Sequence, residues 1–254
     1  MRVLQFNMQF GQGWDDAHPD TAPIDLGATI AEIRRHDADV ILLQEVEHAG
    51  KGGRQPYPPV NYTRLRAALA GYDSFFSYPR SDPRELPFGV GLAIFSRTPL
   101  AATFREDLRS PPIEFDFFGE KKTPTDRLLI GARTRVAGRE LMLLNTHLLA
   151  FFMLGASSEQ HRGQRDRVAE HLRAQAGPAL LAGDFNVSNH RSLIAQFAAC
   201  GFRTAQQSEV TWRRRPYVLD HIFYNAALTC TASQVVPTAT SDHHLLLADL
   251  SFTD

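Results

Sequence analysis

Short apolar segments that end next to polar residues recur along this chain of 254 residues, and they constrain its fold more than any other feature. Segments of this kind, rich in Val, Ile and Leu, are typical of strands buried inside a sheet. Stretches with apolar residues at helical spacing lie between them. Strands and helices intermixed in this way predict one α/β domain that covers residues 1–254. The polar residues at the strand ends are Asn7, Glu45, Asn145, His147, Asp184, Asn186, Asp220, Asp242 and His243.

The segment with the most specific ending is 180–186, Leu-Leu-Ala-Gly-Asp-Phe-Asn. In extended chain, residues two apart point to the same side, so Asp184 and Asn186 can converge on one small group. A carboxylate that orients water and an amide that donates to a phosphoryl oxygen suit the hydrolysis of a phosphate ester. The same Asp-x-Asn pattern also occurs in ordinary turns and helix caps. A calcium-binding loop is excluded, because its sixth and twelfth positions hold Asn189 and Ala195 instead of Gly and Glu.

Composition sets limits on the class of protein. Hydrophobic residues make up 43% of the chain and charged residues 22%, which is typical of a globular protein with a sizeable core. The formal net charge is −1, so no overall basic field marks the chain as a nucleic-acid binder. Cys200 and Cys230 lie far apart without a CxxC pattern, which argues against a disulfide framework or a zinc site. Because we find neither a signal-peptide pattern nor an apolar run long enough to span a membrane, we expect a cytoplasmic protein without stable membrane insertion.

Local patterns predict further elements. Residues 128–136 and 140–146 read as two strands joined by a tight turn. Ser157 and Gln160 have the spacing of a capping box and predict the start of a helix. Residues 105–126 are polar and contain several prolines, so we expect an irregular segment there.

The polar strand ends also share a chemical character. Carboxylates and amides without cysteines are the ligands of hard divalent cations. Histidines add general acid–base groups that titrate near neutral pH. Taken alone, His147 is more typical of a structural histidine and Glu45 of a surface charge. Six such strand ends in one chain are better explained by a shared site.

Together, the polar residues at the strand ends resemble the motifs of a known family, the endonuclease/exonuclease/phosphatase superfamily. The resemblance implies a four-layer α/β/β/α sandwich of two mixed β-sheets, the DNase I-like fold, with the site at one edge. It covers the whole chain in the family's order, and its motifs are Asn7, Gln44-Glu45, Asn145-Thr146-His147, Gly183-Asp184-Phe185-Asn186, Leu219-Asp220-His221 and Ser241-Asp242-His243.

The resemblance also implies a metal site. Glu45, with Asn7 close by, would hold Mg²⁺ or Mn²⁺, and Asp242 would help through water or a second ion. The metal and fixed donors would neutralise the negative charge that in-line attack builds on a phosphate.

Catalytic roles follow from the same resemblance. Asp184 would orient or deprotonate the attacking water, and Asn186 would hold the phosphoryl group. His243 would be polarised by Asp220, as a carboxylate fixes the tautomer of an imidazole. His147 would donate to a phosphate oxygen.

The substrate is less constrained. We expect substrate contacts from Asn145, Trp212 and Arg215. The run Trp-Arg-Arg-Arg-Pro-Tyr, which contains Trp212 and Arg215, could bind a nucleic-acid backbone and stack a base. The alternative is a solvated basic loop with a Trp in the core. Residues 148–154 could touch an apolar substrate or lipid, although a run of this kind is more often buried.

Five other basic residues are ambiguous. Arg162 and Arg165 could reach a phosphate or be surface charges, and Arg127 at a strand start is similar. His221 and His244 adjoin motif residues, but neighbours on a strand point in opposite directions.

Three functions are compatible with these patterns. We favour a divalent-metal-dependent phosphoesterase that hydrolyses a phosphodiester of nucleic acid, DNA or RNA, or of a nucleotide-like compound. The first alternative is the same chemistry on a phospholipid, as in a sphingomyelinase, or on an inositol or sugar phosphate. The second is a non-catalytic binding module, which the presence of Glu45, Asp184 and His243 disfavours.

Overall fold

The computed structural model describes residues 1–253. The helices are α1 (Leu26–Arg35), α2 (Val60–Ala68), α3 (Gly163–Arg173) and α4 (His190–Ala198), with short 3-10 helices at Gln9–Gly11, Lys51–Gly53 and Phe151–Leu154. The strands are β1 (Arg2–Asn7), β2 (Val40–Gln44), β3 (Glu47–His48), β4 (Asp73–Ser77), β5 (Gly89–Val90), β6 (Leu92–Ser96), β7 (Ala101–Leu108), β8 (Phe115–Phe117), β9 (Glu120–Lys122), β10 (Arg127–Val136), β11 (Arg139–His147), β12 (Ala179–Asp184), β13 (Phe202–Thr204), β14 (Asp220–Asn225), β15 (Leu228–Val236) and β16 (Leu245–Phe252). None of the helices within these residues is long and apolar enough to cross a membrane.

Two six-stranded sheets form the centre of the molecule. The first has the order β15-β16-β1-β2-β6-β4, and the second has the order β13-β14-β12-β11-β10-β7. Each is mixed, because β1–β2 and β11–β12 are parallel pairs while their neighbours are antiparallel. Two small two-stranded sheets, β3–β5 and the β8–β9 hairpin, lie outside these sheets.

Three apolar clusters separate four layers. Residues such as Val3 and Leu42 of the first sheet pack against Leu143 and Leu180 of the second, which closes the core between the sheets. The outer face of the first sheet packs against α1 and α2. The outer face of the second sheet packs against α3 and α4. The expected α/β/β/α sandwich is confirmed.

Strand periodicity decides which polar residues enter the space between the sheets. On β1, Leu4 and Phe6 pack on the helix side while Val3 packs in the inter-sheet core. Because side chains alternate, Gln5 and Asn7 also face the other sheet. The same alternation holds on β2, β11, β12 and β14. The polar residues that end these strands therefore meet between the sheets at one edge.

Some local expectations were wrong. The helix expected at Ser157 and Gln160 begins later, at Gly163, and the hydroxyl of Ser157 caps only a turn by accepting from the Gln160 N–H. The segment 105–126, expected to be irregular, contains the end of β7 and the whole β8–β9 hairpin. The β10–β11 hairpin is confirmed, with its turn at Ala137 and Gly138, both at positive φ.

Candidate active site

Asn7 joins the two sheets at the edge where the polar strand ends meet. Its side-chain amide donates to Glu45 Oε1 at 2.9 Å and to Asp184 Oδ2 at 3.0 Å. Glu45 follows β2 in the first sheet, and Asp184 ends β12 in the second. One amide thus holds two carboxylates at a fixed separation.

His243 lies between two buried carboxylates. Its Nδ1 is 2.7 Å from Asp220 Oδ2, and its Nε2 is 3.6 Å from Asp184 Oδ2. Burial alone lowers the pKa of His243, but the carboxylates of Asp220 and Asp184 outweigh it and raise the pKa well above its ordinary value. His243 is therefore a cation at neutral pH, with its Nε2–H directed towards Asp184.

His147 has the opposite electrostatic character. Burial and the nearby charges of Arg127 and His243 lower the pKa of His147 well below its ordinary value. The Asn186 amide donates to Leu148 O at 3.0 Å and to His147 Nε2 at 2.9 Å. In this hydrogen-bond network His147 Nε2 accepts. The expected donation from His147 to a phosphate oxygen stays a prediction.

Glu45 and Asn186 are held in left-handed backbone conformations, with φ of 49° and 50°. Such conformations cost free energy in residues other than glycine and persist where the surroundings impose them. Gly89 completes the setting of Glu45, because a Cβ on Gly89 would lie 2.0 Å from Glu45 Oε2. The absence of a side chain at position 89 therefore creates the space that the carboxylate occupies.

The donor set fits a divalent cation. Ligand atoms of Glu45, His147 and Asp184 all lie within 4.8 Å of one another, and so do those of Asp184, Asp220 and His243. Burial raises the pKa of Glu45, and it raises the pKa of Asp184 to about 8. Carboxylates that are costly to ionise in this way are stabilised by a bound cation, and oxygen donors match Mg²⁺ or Mn²⁺.

Asp242 is fixed by side chains from the loop before β14. Its Oδ2 accepts from Trp212 Nε1 at 3.1 Å and from Arg214 Nε at 2.9 Å. Its Oδ1 lies 4.0 Å from His243 Nε2. One oxygen thus anchors the loop while the other faces the site.

Asn145 does not reach the cleft, which contradicts its expected contact with substrate. It is fully buried, donates to Leu43 O and Ala93 O, and accepts from Gln44 Nε2. All its polar atoms are bonded within the protein. Asn145 therefore joins the sheets beneath the site.

Two of the three arginines in the run form hydrogen bonds or ion pairs with other residues of the protein. Arg213 donates to Thr238 O, and Arg214 binds Asp242 and Asp20. Arg215 is exposed. Only one of the three arginines thus resembles the free cation expected for a nucleic-acid grip.

Two of the other ambiguous residues lie on the helix side of the second sheet. His221 packs with Phe185 and Phe223 on the helix side, away from the site. Arg165 is buried and bonds Ser158, Ser192 and Gln196 between α3 and α4.

The apolar segment after β11 is partly exposed, contrary to the simpler expectation of burial. Phe151 is buried, whereas Met153 is 64% exposed. Phe152 packs against Trp212.

Gln5 and Gly89 were missed by the sequence analysis. Gln5 is buried and donates to Asp220 Oδ1. Its inward position follows from strand alternation with Asn7, so the signal was present in the sequence. The approach of Gly89 to Glu45 has no comparable signal, because it joins distant segments.

Comparison with known proteins identifies the fold. A model described as the endonuclease/exonuclease/phosphatase family matches residues 4–243. A structure described as an endonuclease/exonuclease/phosphatase from Beutenbergia cavernae is 22% identical, with a TM-score of 0.73, over 99% of this chain and 71% of the other. The human Nocturnin catalytic domain is 22% identical, with a TM-score of 0.72, over 100% and 94%. A mannosyl-6-phosphatase from Bacteroides thetaiotaomicron is 16% identical, with a TM-score of 0.68, over 99% and 100%.

Solved structures with sequence identities this low show only that the fold is shared, whereas the match to the family model identifies the protein family. The two-sheet sandwich is the DNase I-like fold. The chain belongs to the endonuclease/exonuclease/phosphatase family, whose members are generally divalent-metal-dependent hydrolases.

Proposed function

We propose that the protein is a Mg²⁺- or Mn²⁺-dependent phosphodiesterase that acts by in-line attack of water on a nucleotide-like ester. The observation that carries this proposal is the position of Asp184. It lies between Asn7 and Glu45 on one side and the Asp220–His243 pair on the other. A base, a cation site and a charged donor are thus within reach of one phosphoryl group.

Glu45 would hold the cation, with Asn7 beside it and Asp242 nearby, and Asp184 would stay available to act on water. When bound, the cation supplies positive charge that stabilises the oxygens of the transition state. Because it lowers the cost of ionising both carboxylates, it also brings them to the charged form at neutral pH.

The chain's own residues move the protons. Asp184, with its raised pKa, is suited to take a proton from the attacking water near neutral pH. His243, kept protonated by Asp220, offers the Nε2–H to the phosphoryl or leaving oxygen. Asn186 can donate to a phosphoryl oxygen if its amide exchanges the His147 contact for the substrate.

A phospholipid is the second candidate substrate, and the exposed Met153 beside the site favours it. A cytoplasmic location and a nucleic-acid partner stay predictions. The engaged state of Arg213 and Arg214 favours a small ester over a long polyanion.

Hydrolysis assays test the proposal. Wild-type protein is assayed with Mg²⁺, Mn²⁺ or EDTA on DNA, RNA, bis(p-nitrophenyl) phosphate, sphingomyelin and an inositol phosphate. We expect metal-dependent cleavage of at least one diester, and its loss in Asp184→Asn and His243→Ala with thermal stability retained. His18→Ala, at an exposed histidine, serves as the control. Wild-type rates in Asp184→Asn would contradict the proposal.

A further inference from the structure

Three aromatic rings form a continuous cluster beside His243. The ring of Phe152 lies 5.6 Å from Trp212 and 5.2 Å from Tyr217, and Trp212 stacks on Tyr217 at 6.2 Å. Trp212 in turn lies 6.3 Å from the His243 ring and donates to Asp242 Oδ2. The cluster therefore begins at two site residues and continues outwards along the rim.

The topology explains why these rings meet. Phe152 lies in the segment that leaves β11 just after His147, and Tyr217 lies in the segment that enters β14 just before Asp220. Both strands flank β12, and β14 runs antiparallel to it while β11 runs parallel. The two segments thus leave the sheet at the edge that carries the site.

The outer surface of the cluster is accessible. Phe152 and Tyr217 are half-buried, and Met153 beside Phe152 is 64% exposed. Single exposed apolar residues are ordinary, but neighbouring ones that rim a polar site mark a place where an apolar group binds.

The charges around the cluster limit the size of the substrate. Arg213 and Arg214 are engaged with Thr238, Asp242 and Asp20. Exposed Arg215 is the third cation of the run. A long polyanion is held by several cations that each neutralise one phosphate. Arg214 is exposed as well, but its charge is met by Asp242 and Asp20, whereas within residues 1–253 Arg215 forms no ion pair. One ring surface and one such arginine match a ligand with one ring and few phosphates.

From this arrangement we infer that Phe152, Met153 and Tyr217 form a subsite for an aromatic ring of a small phosphoester, of the size of a mononucleotide. The inference rests on the proposed function, because the phosphate is placed at Asp184 and His243. The ring then stacks on the rim, and the sugar lies between the ring and the phosphate. Base–aromatic stacking is worth about 1–3 kcal/mol, equivalent to a gain in affinity of roughly fivefold to 150-fold.

A second exposed aromatic cluster provides a control. Phe88 packs on Phe117, which packs on Phe118 at the tip of the β8–β9 hairpin. Phe118 is 93% exposed and is the outermost ring. Its aromatic contact is with Phe117, whereas Trp212 links the first cluster directly to Asp242 and His243. The structure therefore favours the first cluster as the ring subsite.

Binding of AMP and of ribose 5-phosphate, which differ only by the base, tests the inference. Dissociation constants are measured by calorimetry with Mg²⁺ in the Asp184→Asn background, so that neither probe is turned over. We expect AMP to bind at least about fivefold more tightly. Tyr217→Ala and Phe152→Leu should remove most of this preference, while Tyr217→Phe, which keeps the ring, and Phe118→Ala should retain it.

Three results would overturn the inference. The first is that AMP and ribose 5-phosphate bind with equal affinity, or that neither binds measurably. The second is that the preference for AMP survives both Tyr217→Ala and Phe152→Leu. The third is that octyl phosphate binds more tightly than AMP, which would assign the rim to an alkyl chain. Failure of the proposed function is separate, since it is judged by hydrolysis of bis(p-nitrophenyl) phosphate by the wild-type protein. Thermal unfolding of each variant shows that the fold is intact.

Discussion

The side-chain amide of Gln5 donates a hydrogen bond to Asp220 Oδ1 over 2.7 Å, from a strand of one sheet to a strand of the other. Asp220 uses its second oxygen to bind His243. The same amide donates to Gln44, which donates to Asn145. A buried chain of hydrogen bonds thus runs from the inter-sheet core to His243 and fixes the carboxylate that orients the imidazole.

Gln5→Leu should lower kcat about tenfold, because Asp220 then orients His243 less firmly. It should also lower the free energy of unfolding by about 1–3 kcal/mol, because a buried Asp220 oxygen loses its donor. With Asp220 less firmly held, the pKa of His243 should fall, so the alkaline limb of the kcat profile should move to lower pH. Rates measured across pH test this. Gln234→Leu, at an exposed position of β15, is the control and should leave the profile unchanged. An unaltered profile in Gln5→Leu would show that Gln5 only fills space.

Gly89→Ala should weaken metal binding. The added Cβ would lie 2.0 Å from Glu45 Oε2, so the carboxylate must move. Displacing a ligand in this way is expected to reduce affinity for Mn²⁺ by about tenfold to a hundredfold. Titration calorimetry measures it directly. Gly71→Ala is the matched control, because a Cβ there meets nothing within 4 Å. Equal affinity in both variants would contradict the placement of the metal at Glu45.

Gly183→Ala should destabilise the fold. Gly183 pairs with Thr146 in the parallel β11–β12 ladder, and its Cβ would lie 2.1 Å from Thr146 O. Overpacking of this kind typically costs about 1–3 kcal/mol of unfolding free energy. Urea unfolding at neutral pH gives the value. Gly177→Ala, where the Cβ has open space, should change stability little. The hypothesis fails if the two variants unfold at the same urea concentration.

His221 should make the protein sensitive to mild acid. Burial lowers the pKa of His221 from the ordinary 6.5 to about 4. Between these values the unfolded chain binds a proton that the folded protein does not, so stability is full above pH 6.5 and falls as pH drops towards 4. The loss is about 3 kcal/mol. Urea unfolding across this range measures it, and His221→Phe should flatten the slope. A slope equal to that of the wild type would assign the acid sensitivity to other groups.

The orientation of the polar residues at the strand ends could be predicted, because it depends only on neighbouring residues in the sequence. Alternation along a strand predicts that the side chains of Asp184 and Phe185 point to opposite faces of the sheet. In the structure Asp184 faces the other sheet, and Phe185 packs with the helices. The same rule predicts that His221 points away from the site, as the structure shows. Gln5 was overlooked although it obeys this rule, because it lies inside the strand rather than at its end.

Other features depended on distant partners. Asn145 was expected at the substrate, yet the backbone carbonyls of Leu43 and Ala93 in the other sheet bind its amide. The engagement of Arg213 and Arg214 depends on Thr238, Asp242 and Asp20, which are far away in sequence.

The sequence by itself determined the order of strands and helices, the inward side of each strand, and the motifs that place the chain in its family. These follow from periodicity and residue chemistry within short segments. Only the tertiary structure decided which inward polar groups reach the cleft, which are used as bonds between the sheets, and where the aromatic rim stands. Those outcomes depend on the register and packing of two sheets, which bring together residues as far apart as Gln5 and Asp220.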